Sequence, residues 1–165
     1  MIRVVVGDLA RMSVDAVVRP TDATLASAGA PATRLDEAGG ERFAAQRRTA
    51  TPLEAGAAVV TGGGDLPAAY VLHVVIADER GPAGRDRIRR ALVSAWQRAG
   101  DWGLRSVAAP LVGLAGGQLT TEESAGLLVE TFPKDGAEDG PTELQIVVEA
   151  AAERDVVEAL VRRMA

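Results

Sequence analysis

The chain of 165 residues is 47% apolar and 25% charged, an ordinary globular composition at a length that removes about two-thirds of the unfolded surface from water. Its formal net charge of −5 supplies no electrostatic footprint for non-specific nucleic-acid binding. With no cysteine and a single histidine, His73, disulfides, thiolate metal sites, cysteine nucleophiles and multi-histidine zinc centres are excluded.

Ile2–Val6 is a β-branched run ending at the turn signal Gly7-Asp8, and Asp15–Arg19 is a second short strand, closed by Pro20. The small residues of Thr21–Ala30 predict a loop. Pro31 suits the first turn of a helix whose apolar positions are Leu35, Ala38 and Phe43, with a break at Gly39-Gly40. Ala57–Thr61 is a third strand. Tyr70–Ile76 is continuously apolar, as a strand buried on both faces would be, and His73 sits inside it. Gly81–Gly84 reads as a loop. Ile88, Ala91, Leu92, Ala95, Trp96 and Ala99 then recur at helical spacing up to Gly100 or Gly103. Val107–Ala109 is the fifth strand, a helix of about Glu122–Thr131 follows, and Lys134–Pro141 is an acidic surface loop. Leu144–Glu149 is the sixth strand, and Val156, Val157, Leu160, Val161 and Met164 form the buried stripe of a last helix.

Six strands interleaved with four helical stretches predict one domain over residues 1–165. Its sheet is six-stranded and mixed, covered on both faces in a three-layer α/β/α arrangement. Ligands of such sheets bind beyond the carboxyl ends of the strands. The connections there include Gly7–Met12, Pro20–Ala30 and Gly113–Thr121, all rich in small or turn-forming residues.

The stretch Ser106–Glu123 carries the most chemistry. A strand runs into a loop of small residues, Gly113–Gln118, and then into a helix start marked by the capping-box spacing of Thr120 and Glu123. Such a loop can aim several N–H groups at an anion, usually a phosphate. It can equally be a tight connection that needs glycine only for its backbone angles.

Taken together, these segments resemble a macrodomain, the ADP-ribose-binding module, from Val6 to about Phe132. Gly7-Asp8-Leu9-Ala10 resembles the family's opening GDIT, and Asp15-Ala16-Val17-Val18 its DAIV strand. Ala55–Thr61 resembles TGEAVIT, Leu66–His73 resembles LPAKYVIH closely, and Pro110–Glu123 resembles the loop PLLGTGAGGL…EE. The resemblance implies that Asp8 accepts a hydrogen bond from the adenine amino group beside the amide of Leu9. It implies that Val112, Gly113, Leu114, Ala115, Gly116, Gly117 and Gln118 surround the diphosphate. Ser27, Ala28, Gly29 and Ala30 would close over the other side of the diphosphate and the distal ribose.

The departures fall on the distal sugar, on the second loop, where Leu114 and Ala115 replace Thr-Gly and Gln118 replaces a glycine, and near the adenine. The family's NAAN stands here as Arg19-Pro20-Thr21-Asp22, and an ionised Asp22 only accepts where asparagine also donates. Asp22 would add negative charge near a dianionic ligand, offset in part if Arg19 turns inward. Alternatively, Arg19 and Asp22 form a surface ion pair. In the loop that stands for the family's GGGVDGAIH, Asp36 lies under the family's histidine position. Ala32 stands where hydrolytic members carry an acid. Ala150-Ala151 follows the last strand, where the family often has an aromatic residue.

His73 is expected to be a core histidine hydrogen-bonded to the backbone, and Trp96 and Trp102 to be packing residues. The expected function is binding of ADP-ribose or a related nucleotide diphosphate, free or on an ADP-ribosylated macromolecule, without turnover and without a cofactor. One alternative is a hydrolase that removes ADP-ribose or acyl groups from ADP-ribose esters, with Asp22 as its catalytic residue. Another is a degenerate interaction or oligomerisation module. The absence of a signal-peptide pattern and of any run near the roughly 18 apolar residues of a membrane span predicts a cytoplasmic protein with no membrane contact.

Overall fold

Alternating apolar runs and turn residues build a twisted mixed sheet in the computed structural model, which describes residues 1–164. In chain order the elements are β1 (Ile2–Val6), a 3-10 turn at Leu9–Arg11, β2 (Ala16–Asp22), α1 (Ala30–Gln46), β3 (Ala58–Gly62) and β4 (Tyr70–Asp78). There follow β5 (Gly81–Pro82), α2 (Arg85–Asp101), β6 (Ser106–Ala109), α3 (Thr121–Thr131), β7 (Glu143–Val148) and α4 (Ala151–Met164). Six strands lie in the order β1-β7-β6-β2-β4-β3; the first five of these run parallel and β3 is antiparallel to β4. The segment expected as a Gly81–Gly84 loop instead supplies β5, two residues that fold back antiparallel on the end of β4.

Each face of the sheet buries its own cluster. On one side α2 presents Ile88, Leu92 and Trp96, with Ala91, Ala95 and Ala99 beside them, and α3 and α4 add Leu127, Leu128, Val157 and Leu160. Each large aliphatic side chain buried this way stabilises the fold by about 1.5–3 kcal/mol. On the other side α1 and the 3-10 turn cover the sheet with Leu9, Leu35 and Phe43. The kink in α1 falls at Gly40, whose φ of 67° is left-handed. No helix among the described residues is long and apolar enough to cross a membrane.

Two features of β2 differ from expectation. Pro20 does not close the strand, which continues to Asp22. β6 pairs with β2 only at Ala16 and Val17, so the edge on which proline lacks an N–H has no β6 acceptor to satisfy there. The Pro20 carbonyl on that edge accepts from the Ala28 N–H (3.0 Å), and Thr21 pairs with Ser27, so the strand turns back as a short hairpin.

Arg19 is the second. Side chains alternate across a strand, so Arg19 shares the α1 face with Val17 and lies opposite His73 in the β2–β4 register. It is wholly buried, not on the surface. Its Nε and Nη2 donate to the two carboxylate oxygens of Asp36 (2.8 and 3.0 Å), and its Nη1 donates to the Leu25 carbonyl (2.8 Å). Nη1 also reaches His73 Nδ1 (3.2 Å), which makes that nitrogen the acceptor. His73 Nε2 then donates to Thr61 Oγ1 (2.8 Å), whose hydroxyl donates to the Gly62 carbonyl (3.0 Å). The histidine is therefore a core residue as expected, but its partners are side chains rather than backbone. Burial, with the Arg19 and Arg47 cations beside it, pushes its pKa down to about 3.

Candidate functional site

β7, β6 and β2 are neighbours in the sheet, so their carboxyl ends open side by side onto one cleft of about 260 Å³. Pro20, Ala28, Ala30 and Pro31 form one wall and Pro110, Leu111, Gly113, Leu114 and Ala115 the other. Val147, Val148, Glu149 and Glu153 close the end. The volume lies just below the range of small-molecule sites, roughly 300–1,000 Å³.

The loop after β6 has a division of labour among its amides. Gln118 N–H and Leu119 N–H donate to the Gly113 carbonyl (3.0 and 3.2 Å), and Gly117 N–H donates to the Leu114 carbonyl (3.0 Å). These bonds curl the loop and use up the donors of Gly117 and Gln118. The N–H groups of Gly113, Leu114, Ala115 and Gly116 have no acceptor among the described residues. A row of unpaired amides in a turn is an anion-binding arrangement. Thr120 caps the following helix by accepting from the Glu123 N–H, while the Glu123 carboxylate accepts from the Thr120 N–H. Those bonds hold the Glu123 carboxyl below its usual pKa.

Across the cleft, Gly29 caps α1 with a φ of 123° and no side-chain cap bond, leaving the helix's positive end uncovered. The two loops touch at this point. A Cβ on Gly29 would lie 2.6 Å from the Ala115 Cβ, so glycine is required both by conformation and by contact. The Ser27 hydroxyl lies 3.0 Å from that of Thr33 and pins the loop to α1.

Several expected site residues stand elsewhere. Val112 is buried in the core, and its carbonyl accepts from Ser124 Oγ (2.7 Å). The Gln118 side chain turns away from the cleft, Nε2 donating to the carbonyls of Ile76 (2.8 Å) and Ala83 (3.1 Å). Arg19 is spent on Asp36, Leu25 and His73 and cannot turn inward. Asp22 does not pair with it. Its Oδ1 accepts from Thr24 N–H (2.8 Å), Thr24 Oγ1 (2.8 Å) and Ala26 N–H (3.0 Å), capping its own hairpin. Asp22 lines a second hollow of about 660 Å³ with Thr24, Glu54, Asp78, Glu79 and Arg80.

Asp8 lies beside the cleft rather than on its lining. Gly7 N–H donates to the Val148 carbonyl (3.0 Å), which seats Asp8 just past the end of β7. Its Oδ1 accepts from Ala10 N–H (3.0 Å), capping the 3-10 turn, and its Oδ2 has only Arg11 Nε at 3.9 Å. Leu9 is buried beneath α1, and its N–H has no acceptor among the described residues. Sequence reasoning missed Arg34, Glu149 and Glu153. The position of Glu149 at the carboxyl end of the last apolar strand was the signal for it.

The family model described as Macro domain matches residues 18–128. A protein of Aeropyrum pernix is 33% identical over 132 residues, covering 76% of this chain and 67% of its own length. A Mycobacterium tuberculosis protein is 30% identical over 122 residues, 74% of this chain, which spans about a third (34%) of that relative. The Trypanosoma brucei macrodomain superposes with a TM-score of 0.84 at 21% identity, over 97% of this chain and 66% of that one. It has been solved in complex with ADP and with ADP-ribose. At that identity the likeness shows the fold.

Proposed function

This chain belongs to the Macro domain family, and from that premise we propose that it binds ADP-ribose or a related nucleotide diphosphate without turning it over. The observation that carries the reading is the set of three unpaired N–H groups of Gly113, Leu114 and Ala115 along an open cleft, continued by that of Gly116. Buried or half-buried N–H groups are normally satisfied within a fold, and those of buried Gly113 and half-buried Leu114, beside the hollow and next to exposed Ala115, are donors kept for a ligand. The diphosphate sits between them and the uncapped start of α1. The free Oδ2 of Asp8 and the N–H of Leu9 meet the adenine edge beyond β7. Solved complexes of the Trypanosoma brucei macrodomain with ADP and ADP-ribose support the ligand class.

The absence of turnover rests on Asp22. A general base must lie within reach of the reacting water, and Asp22, whose Oδ1 holds its own hairpin, lines the other hollow rather than the cleft. Ala32, where the family resemblance places an acid in hydrolytic members, is fully buried.

Calorimetry with ADP-ribose, ADP and AMP tests the binding. ADP-ribose and ADP release heat and raise the melting temperature by linkage, AMP much less. Gly29→Val drives a side chain into Ala115 and weakens ADP-ribose at least about tenfold, given strain of roughly 1–3 kcal/mol at a left-handed position. No heat at millimolar ADP-ribose overturns the binding. Release of ADP-ribose from an ADP-ribosylated protein overturns the absence of turnover.

A further inference from the structure

The charged side chains on the cleft's lining, Glu149 and Glu153, are both acidic. Glu153 accepts from the Glu149 N–H (3.4 Å) and so serves the start of α4. Glu149 is paired across the cleft with the Arg34 guanidinium, which stands on α1 one turn beyond Ala30. Arg34 and Glu149 are each well exposed, at 41% and 61%. The ion pair thus joins α1, whose start forms part of one wall of the cleft, to the end of β7, which closes it.

We propose that Arg34 is the cation that meets the ligand's diphosphate, and that Glu149 holds it across the cleft mouth until the ligand displaces it. This rests on the binding reading above. A dianion seated on neutral amides beside two carboxylates needs a compensating charge, and Arg19 is buried elsewhere. Guanidinium matches phosphate oxygens in the same forked geometry as a carboxylate. An exposed ion pair is weakly held and screened by salt, so exchanging carboxylate for phosphate is easily done. The pair then selects for charge: it opens for a diphosphate and gains nothing from a neutral nucleoside.

Calorimetry on the wild type, Arg34→Ala, Glu149→Gln and the double variant, with ADP-ribose, inorganic pyrophosphate and adenosine as probes, tests this. Arg34→Ala weakens ADP-ribose and pyrophosphate by roughly tenfold, as loss of one charge-assisted bidentate contact does. Glu149→Gln tightens both about three- to tenfold, and gains less in the Arg34→Ala background because part of its effect acts through the arginine. Adenosine is unaffected throughout, and Arg34→Lys falls between arginine and alanine. Arg34→Ala that keeps its melting temperature and binds ADP-ribose like the wild type overturns the latch while leaving the binding reading intact. If neither the wild type nor Glu149→Gln binds ADP-ribose, the binding reading itself fails and the latch with it.

Discussion

Two hollows open near the carboxyl ends of the strands, and the larger is the worse seat for an anion. The hollow of about 660 Å³ is lined by Asp22, Glu54, Asp78 and Glu79 against Arg80 alone. Two of those carboxylates are already engaged. Asp22 caps its hairpin, and Asp78 accepts from Ala55 N–H, Arg80 and Arg87. The Arg80 guanidinium, with the Ala55 and Arg80 N–H groups, holds the Asp78 carboxyl well below the usual carboxylate range. The cleft of about 260 Å³ is lined mainly by small and apolar residues, with Glu149 and Glu153 at its end, and the N–H groups of its Gly113, Leu114 and Ala115 are uncommitted. Unspent donors, rather than empty space, distinguish a binding site.

The partition between the hollows is the hairpin from Asp22 to Gly29, whose Leu25 adopts a left-handed φ of 64° that non-glycine residues rarely take. Arg19 holds the Leu25 carbonyl from below, so the largest effect comes from removing it. Arg19→Leu leaves Asp36 without its bidentate partner and releases the hairpin, lowering stability by about 3–5 kcal/mol as broken buried pairs do. Chemical denaturation measures this, and Asp36→Leu in the same background recovers part of the loss. A change below about 1 kcal/mol, the scale of exposed pairs, would mean the partition stands without its buried charge.

Acid acts on the same support. Unfolded His73 titrates near 6.5 and the folded residue at about 3, so between these values the unfolded chain binds more protons. The stability that neutral His73 contributes is whole above pH 6.5 and is lost as pH falls toward 3, by at most about 1.4 kcal/mol per pH unit. Urea midpoints between pH 7 and 4 follow that slope, and His73→Gln flattens it. An identical slope in the variant would exclude His73 as its source.

The smallest effect separates the two hollows most directly. Asp22→Ala removes the hairpin cap and costs about 1 kcal/mol, yet ADP-ribose affinity stays within twofold. A tenfold loss of affinity would place Asp22 in contact with the ligand and merge the two spaces into one site.

Most of the sheet was legible because β-branched runs bounded by glycine have few other uses. The capping box of Thr120 and Glu123 was legible because both partners lie within one turn. Pro20 misled because a proline normally ends a central strand, whereas here the neighbouring β6 stops first. Arg19 misled because arginine is usually exposed and its partner Asp36 lies seventeen positions away, on a helix. The alternation Val17, Arg19, Thr21 already placed it on the buried face. In the phosphate-type loop, glycine content foretold a curl but not which amides the curl would consume. That depends on Gly113 and Leu114 carbonyls accepting from Gly117, Gln118 and Leu119, a matter of three-dimensional closure. Arg34 and Glu149 meet only because α1 and the end of β7 flank one opening.

Pro20, Pro31 and Pro110 all border the cleft, and a pyrrolidine ring holds φ fixed whether or not a guest is present. Much of the walls therefore has little conformational freedom left to surrender on occupation, so the ordering that association usually demands was completed at folding. A rigid frame of this kind favours rapid reversible occupancy with little rearrangement, and leaves the two side chains at the mouth as its moving parts.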